Sequence, residues 1–212
     1  MVVKYILAAI VGYLFGSLNP AALISKIKHK NIRKSGTCNL GATNVMLNFG
    51  KGMGALVMLF DISKAVIAYN VAALVFPTLK LIGLVAGISA VLGHIFPFYL
   101  GFKGGKGLAS FGGLVLAHSP IIFLFLLVTG CVLMVIVNYS FILPFYAGIA
   151  FPILVGLHER DLFSFLLTGG ISALIICKHY GNFIKAKNGT DNKIRDQIKK
   201  MFGKETEKKN KV

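Results

Sequence analysis

Apolar residues fill this chain in long stretches, and short polar segments divide them. A helix crosses the hydrocarbon layer of a bilayer with roughly 20 consecutive, mostly apolar residues. Stretches of about that length occupy residues 3–25, 52–76, 79–100 and 121–138, and two more, 141–157 and 162–177, lie near the lower limit. Residues 107–118 form another apolar stretch that is short for a crossing. The pattern predicts an all-α integral membrane protein, with seven transmembrane helices if the short stretch is counted and six if it is not.

Charge separates the two counts. Lys and Arg total 23 against 7 Asp and Glu, a formal net charge of +16. The segment 26–51 holds six Lys or Arg and no acid, and the chain from Lys178 onward holds eleven. With seven crossings these segments and the Lys103/Lys106 loop share one side, so that 19 basic residues face only Lys4, Lys80 and Arg160. Short basic loops stay in the cytoplasm, which predicts an external N-terminus and a cytoplasmic C-terminus. Six crossings would set the two most basic segments on opposite sides. The expected organisation is a multi-pass domain over 1–187 and a Lys-rich cytoplasmic tail over 188–212, solvated near anionic lipid.

Composition agrees with this picture. The chain is 56% hydrophobic and only 14% charged, where a soluble domain carries about 25% charged residues. The basic excess sits at the ends of apolar stretches, which favours membrane lipids over nucleic acid as its partner. Cys38, Cys131 and Cys177 are odd in number and widely spaced; neither a disulfide framework nor a metal site is implied. The N-terminus carries one lysine, Lys4, and then a long apolar run, which reads as a first span rather than a removable signal peptide. No internal repeat is visible.

Three polar segments carry candidate chemistry. "SGTCNLGATNVMLNFGK", residues 35–51, is rich in Gly and Asn and contains no carboxylate. Ser35, Asn39, Thr43 and Asn44 offer side-chain hydrogen bonds, and Gly36 and Gly41 offer a permissive backbone. With Arg33, Lys34 and Lys51 around it, the stretch suits a small anionic ligand or anionic lipid; the alternative is a surface loop of turn residues. In "GFKGGKGLAS", residues 101–110, Gly104, Gly105 and Gly107 leave the backbone without Cβ atoms, so its N–H groups can converge on an anion. Lys103 and Lys106 supply charge, and the apolar run from Leu108 would set a helix N-terminus beside them. The GxxxxGK[ST] spacing is absent, and a cytoplasmic turn with orientation lysines fits about equally well. In "CKHYGNFIKAKNGTDNKI", residues 177–194, His179 and Asn182 are three apart and share a helix face. All three segments fall on the cytoplasmic side of the seven-span arrangement, where they can build one site.

Asp61 and Lys64 lie inside the second span, three apart. Mutual neutralisation is the simpler reading and a functional site the other. His94, with Pro97 close behind, ends the third span beside the glycine-lysine loop as a supporting residue.

Together these strings resemble one family, the bacterial acyl-phosphate:glycerol-3-phosphate acyltransferases (PlsY). The likeness rests on "GSLNPA", "SGTCNLGATNV", "LFDISKA", "GHIFPFYLGFKGGKG" and "KHYGNFIKAKNGTDNKI", in order from Gly16 to Ile194. It implies a seven-span enzyme of the bacterial cell membrane, without metal or cofactor. The enzyme would transfer an acyl group from acyl phosphate to the first hydroxyl of glycerol 3-phosphate, giving lysophosphatidic acid and phosphate. An acyl-phosphate-forming enzyme would be its supply partner. An acyl phosphate is a mixed anhydride already activated for transfer, so such an enzyme mainly positions reactants and steadies an oxyanion. No histidine here begins an HxxxxD acyltransferase pattern. On the resemblance, Gly104–Gly107 with Lys106 would hold a phosphate, while Ser35, Asn39 and Asn182 orient substrates. His179 would act as base or phosphate ligand, or the substrate's own phosphate would accept the proton.

The chain departs from the family pattern at three positions. The family has Gly at the position of Cys38 and Glu at that of Asp191. It has Arg where this chain has Leu47, and Arg grips phosphate or carboxylate bidentately where Leu cannot. A hydrogen bond to a charged group contributes roughly 1.5–3 kcal/mol, or about 10- to 150-fold. The competing readings are therefore a weakly active or non-catalytic paralogue that binds glycerol phosphate or acyl phosphate, and, further off, a transporter.

Overall fold

The structure, a computed structural model, describes residues 1–191 and 193–196. Every regular element among the described residues is helical. Six stretches are long and apolar enough to cross a membrane: Val2–Ile27, Lys51–Val75, Ile82–Leu100, Pro120–Val137, Ile142–Glu159 and Leu162–Lys187. Leu108–His118 is a shorter apolar helix; its 11 residues extend only about 16 Å. The chain divides into two compact units, Met1–Phe123 and Leu124–Val212.

The first unit begins with a broken helix. The apolar stretch 3–25 forms α1 (Val2–Ser17) and α2 (Pro20–Ile27) rather than one continuous helix. Pro20 has no N–H and fixes its own φ, so it can start α2 but cannot continue α1. Asn19 caps α2, its side-chain oxygen accepting from the Ala22 N–H at 2.8 Å. Three of the backbone groups released by the break find side-chain partners, as burial favours. The Ser17 carbonyl accepts from the Tyr99 hydroxyl at 2.8 Å, that hydroxyl accepts from the Asn19 N–H at 3.1 Å, and the Leu18 carbonyl accepts from Lys64 Nζ at 2.9 Å.

After a single 3₁₀ turn over Ile32–Lys34 come α3 (Ala42–Phe49) and α4 (Lys51–Val75), then α5 (Ile82–Ile95). The central element is the α5 segment, with 72% of its span buried against 11% along Pro120–Val137. Small residues permit this. Cβ atoms added at Gly12 and Gly16 of α1 would lie 2.3 and 2.1 Å from the Ala86 and Ala90 carbonyl oxygens of α5. Close backbone approach through small residues supplies the dispersion contact that hydrophobicity does not supply in lipid. The expected span 79–100 ends early as a helix because Pro97 interrupts it, and a second 3₁₀ turn, Phe98–Leu100, follows. The unit closes with α6 (Leu108–His118), packed on α4 and α5.

α7 (Pro120–Val137) carries the chain into the second unit, where α8 (Ile142–Glu159) packs against α9 (Leu162–Lys187). α9 runs ten residues past the apolar stretch 162–177. Its polar extension keeps a buried face: Phe183 stacks edge-on against Phe141, ring centroids 5.3 Å apart, and Ala186 is buried. Asn188 and Gly189 (φ +69°) then end it. The expected tail begins here. Its first residues fold back within the unit: Ile194 is buried and its N–H donates to the Asn138 carbonyl at 3.2 Å. Of the predicted tail, residue 192 and residues 197–212 lie outside the described residues.

Candidate functional site

The Gly/Asn-rich stretch folds around one asparagine. Asn44, in the first turn of α3, is 1% exposed. Its Nδ2 donates to the Ile32 and Asn39 carbonyls at 2.7 and 2.9 Å, and its Oδ1 accepts from the Thr37 N–H at 2.8 Å. Asn48, one turn on, donates to the Asn44 carbonyl at 2.9 Å and to Asn44 Oδ1 at 3.1 Å. Ser35 completes the chain by donating its hydroxyl to Asn48 Oδ1 at 2.8 Å. A loop rich in unpaired backbone groups is thereby tied down by carboxamides, which both donate and accept. Ile32, Leu40 and Val45 anchor it from beneath in an apolar cluster with Ala21 and Val57.

Two positions in the loop require a left-handed backbone. Gly36 has φ +61°, and a Cβ there would meet Asn44 Oδ1 at 2.2 Å. Cys38 has φ +54° without being glycine. The angle gives a physical reason for the glycine that the resemblance leads one to expect at this position.

The second segment closes onto the first. Arg33 donates from Nη2 to the Lys103 and Leu100 carbonyls at 2.6 and 3.4 Å. Its guanidinium thus ties the 101–107 loop to the Gly/Asn-rich stretch. The glycines at 104 and 105 do something other than cradle an anion with their amides. The Gly104 and Gly105 N–H groups donate to the Ile95 and His94 carbonyls at 3.0 and 3.1 Å. Cβ atoms there would lie 2.0 Å from the His94 carbonyl oxygen and 2.0 Å from His94 Nε2 respectively. These two glycines are present because the loop lies directly on the end of α5. Gly107 differs: with φ +88° it is the N-cap of α6, and its carbonyl accepts from the Phe111 N–H at 2.8 Å. Of the rest of the expected cradle, Lys106 is half-buried and Gly107 opens α6.

Asn39 and Gly41 are partly buried beside the Asn44 network, Thr43 and Lys103 are exposed, and Leu47 is 65% exposed. Thr43 and Leu47, four residues apart on α3, share that exposed face. Arg33 is committed to the carbonyls of Leu100 and Lys103.

Asp61, Lys64 and His94 form a buried cluster beneath the glycine-lysine loop. Lys64 Nζ lies 2.8 Å from Asp61 Oδ1 and 2.9 Å from His94 Nδ1, and Nδ1 lies 3.1 Å from Asp61 Oδ1. The mutual neutralisation of Asp61 and Lys64 is present, and the histidine is its third member.

In the second unit, His179 and Asn182 lie on one side of α9. His179 is buried, with Nδ1 2.9 Å from the Ile175 carbonyl one turn back. A carbonyl oxygen only accepts, so Nδ1 is the donor in that contact.

Sequence reasoning missed Asn48, Asn19 and Tyr99 as site-building residues. Asn48 was detectable, since it sits four residues after Asn44 on a helix. Tyr99 was not, because its partners Ser17 and Asn19 are about eighty residues away in the chain.

Comparison with known proteins places this geometry. Residues 6–189 match the family model described as glycerol-3-phosphate acyltransferase. The chain is 36% identical over 195 residues to the glycerol-3-phosphate acyltransferase of Coxiella burnetii (strain RSA 493 / Nine Mile phase I), covering 90% of this chain and 98% of that protein. It is 37% identical over 189 residues to that of Exiguobacterium sibiricum, covering 87% and 91%. Among solved structures it is similar to PlsY, an integral membrane glycerol 3-phosphate acyltransferase. The glycerol 3-phosphate form matches with a TM-score of 0.82 at 30% identity over 90% of this chain and 95% of that one. The lysophosphatidic acid form matches with a TM-score of 0.80 at 30% identity over 89% and 94%. On sequence and fold alike, this chain belongs to the glycerol-3-phosphate acyltransferase family.

Proposed function

We propose that this protein transfers an acyl group from an acyl phosphate to the first hydroxyl of glycerol 3-phosphate, releasing lysophosphatidic acid and inorganic phosphate. The observation that carries this reading is family membership over 6–189, with solved relatives in glycerol 3-phosphate and lysophosphatidic acid forms. In the reaction the substrate hydroxyl oxygen bonds to the acyl carbon, the bond from that carbon to the phosphate oxygen breaks, and phosphate leaves. The hydroxyl proton passes to the phosphate or to a base, the role that the family resemblance gives His179. Lys106 and the amides at the start of α6 hold a phosphate, and Ser35, Asn39 and Asn182 orient the substrates. Gly36, Gly41, Thr43, Asn44, Lys103, Gly104, Gly105 and Gly107 shape the walls of the binding loops. Because the leaving group is already a good one, the protein's contribution is positioning and charge stabilisation.

The proposed setting is the bacterial plasma membrane, crossed seven times, with the N-terminus outside and the basic loops in the cytoplasm. The distribution of 19 basic residues against 3 supports it. An acyl-phosphate-forming enzyme supplies the donor. The decisive experiment incubates purified protein with palmitoyl phosphate and follows phosphate release. Release that requires glycerol 3-phosphate supports the reading; release that ignores it, or none, sinks it.

A second reading, a paralogue that binds these ligands with little or no turnover, is favoured by Leu47 alone. The exposed leucine replaces the family arginine, and Arg33 is engaged elsewhere.

A further inference from the structure

The buried cluster of Asp61, Lys64 and His94 is more elaborate than charge neutralisation needs. Lys64 and Asp61 are three apart on α4 and satisfy the expectation that intramembrane charges pair. Yet the ammonium also reaches out of its own helix in two directions. It donates to the Leu18 carbonyl, freed by the break between α1 and α2, and it contacts His94 Nδ1 at the end of α5. All three side chains are at most 3% exposed. His94 Nδ1 thus lies against both charged groups and hydrogen-bonds one of them, as donor to Asp61 or as acceptor from Lys64, which anchors that edge of the imidazole.

The other side of that ring meets the loop. His94 Nε2 faces Gly105 so closely that a single methyl group there would stand 2.0 Å from it. The backbone of the same residue is also engaged, since the His94 carbonyl accepts from the Gly105 N–H and the neighbouring Ile95 carbonyl accepts from the Gly104 N–H. Lys106 and Gly107 follow immediately. The cluster therefore links the α1–α2 break, α4, the end of α5 and the residues that lead into α6.

Resting on the acyltransferase reading above, we propose that Asp61, Lys64 and His94 are positioning residues: they lock the His94 ring beneath Gly105 and so set where Lys106 and Gly107 present themselves to a phosphate group. None of the three touches substrate in this scheme. Displacing a positioned group by about 1 Å can lower a rate about 100-fold, so the effect reaches the chemical step although the cluster is buried.

Two variants test it. Asp61→Leu/Lys64→Met replaces the ion pair with apolar side chains of similar size, a change that buried pairs often tolerate without loss of stability. His94→Asn keeps a polar atom where Nδ1 was and removes the ring edge facing Gly105. His94→Asn should melt within about 5 °C of the wild type, and the double variant, which also strands the Leu18 carbonyl, several degrees lower. Both should lower kcat at least about tenfold while KM for glycerol 3-phosphate moves less than about threefold. Amide exchange at Gly104 and Gly105 should accelerate about tenfold in both. Wild-type kcat with wild-type exchange in a folded variant overturns the proposal, as does a kcat loss with exchange unchanged. If the double variant does not fold, His94→Asn carries the same readouts. If wild-type protein shows no turnover dependent on glycerol 3-phosphate, the acyltransferase reading falls, and the exchange rates alone then decide whether the cluster fixes the loop.

Discussion

Ser35 donates its hydroxyl to Asn48 Oδ1 at 2.8 Å, and the Asn48 amide in turn donates to Asn44. The proposed substrate-orienting serine is thus held by a residue on the next helix rather than by its own loop. Its direction depends on Asn48. Replacing Asn48 with Ala should lower kcat/KM about fivefold by freeing the serine rotamer, equivalent to the roughly 1 kcal/mol of one hydrogen bond. The combined Ser35→Ala/Asn48→Ala variant should be no worse than Ser35→Ala, because interacting residues are not additive. Additive losses in steady-state kinetics would mean that the two act separately.

Asn44 should matter more for stability. Its removal strands the Ile32 and Asn39 carbonyls and the Thr37 N–H. An unsatisfied buried group costs about 1–3 kcal/mol, and of the three the bond to the Ile32 carbonyl is buried, so Asn44→Ala should destabilise the folded loop by about 1–3 kcal/mol. Limited proteolysis between residues 35 and 41 measures this directly. Resistance equal to wild type would contradict the assigned role.

Cys38→Gly should stabilise the protein. A non-glycine residue in the left-handed region costs roughly 1–2 kcal/mol, partly offset by the greater freedom of glycine in the unfolded chain, about 0.5–1 kcal/mol. The expected outcome is a rise of a degree or a few in melting temperature in detergent. A fall would show that the sulfhydryl contributes more than the angle costs.

Leu47→Arg reports on the position where the resemblance leads one to expect arginine. The exposed face it shares with Thr43 has room for a guanidinium, and a bidentate grip on phosphate is worth about 10- to 150-fold. A gain of that order in kcat/KM, from phosphate release, is expected. An unchanged or lower value would mean that this protein handles its substrates without a cation at that position.

Topology is open to labelling. In a Cys131→Ser/Cys177→Ser background, the exposed Cys38 should react with a membrane-impermeant maleimide in inverted vesicles and not in right-side-out ones. The opposite sidedness would reverse the orientation read from the basic loops.

Much of this was legible in the chain itself. Apolar length located the membrane helices, because a helix in lipid must satisfy its backbone internally over a fixed thickness. The ordered strings from Gly16 to Ile194 were enough to identify the family. What the sequence left undecided concerns contacts made across long chain separations. Composition alone made Gly104 and Gly105 look like an anion cradle. The tertiary structure makes them a packing seam, because the loop returns onto the carbonyls of His94 and Ile95. Asp61 and Lys64 read as a pair from their spacing on one helix, whereas the third member, His94, lies thirty residues beyond Lys64. Local pattern fixes helices because their hydrogen bonds are local. Only the packed chain decides which buried side chains meet, and at this site that meeting determines what each glycine and each charge is for.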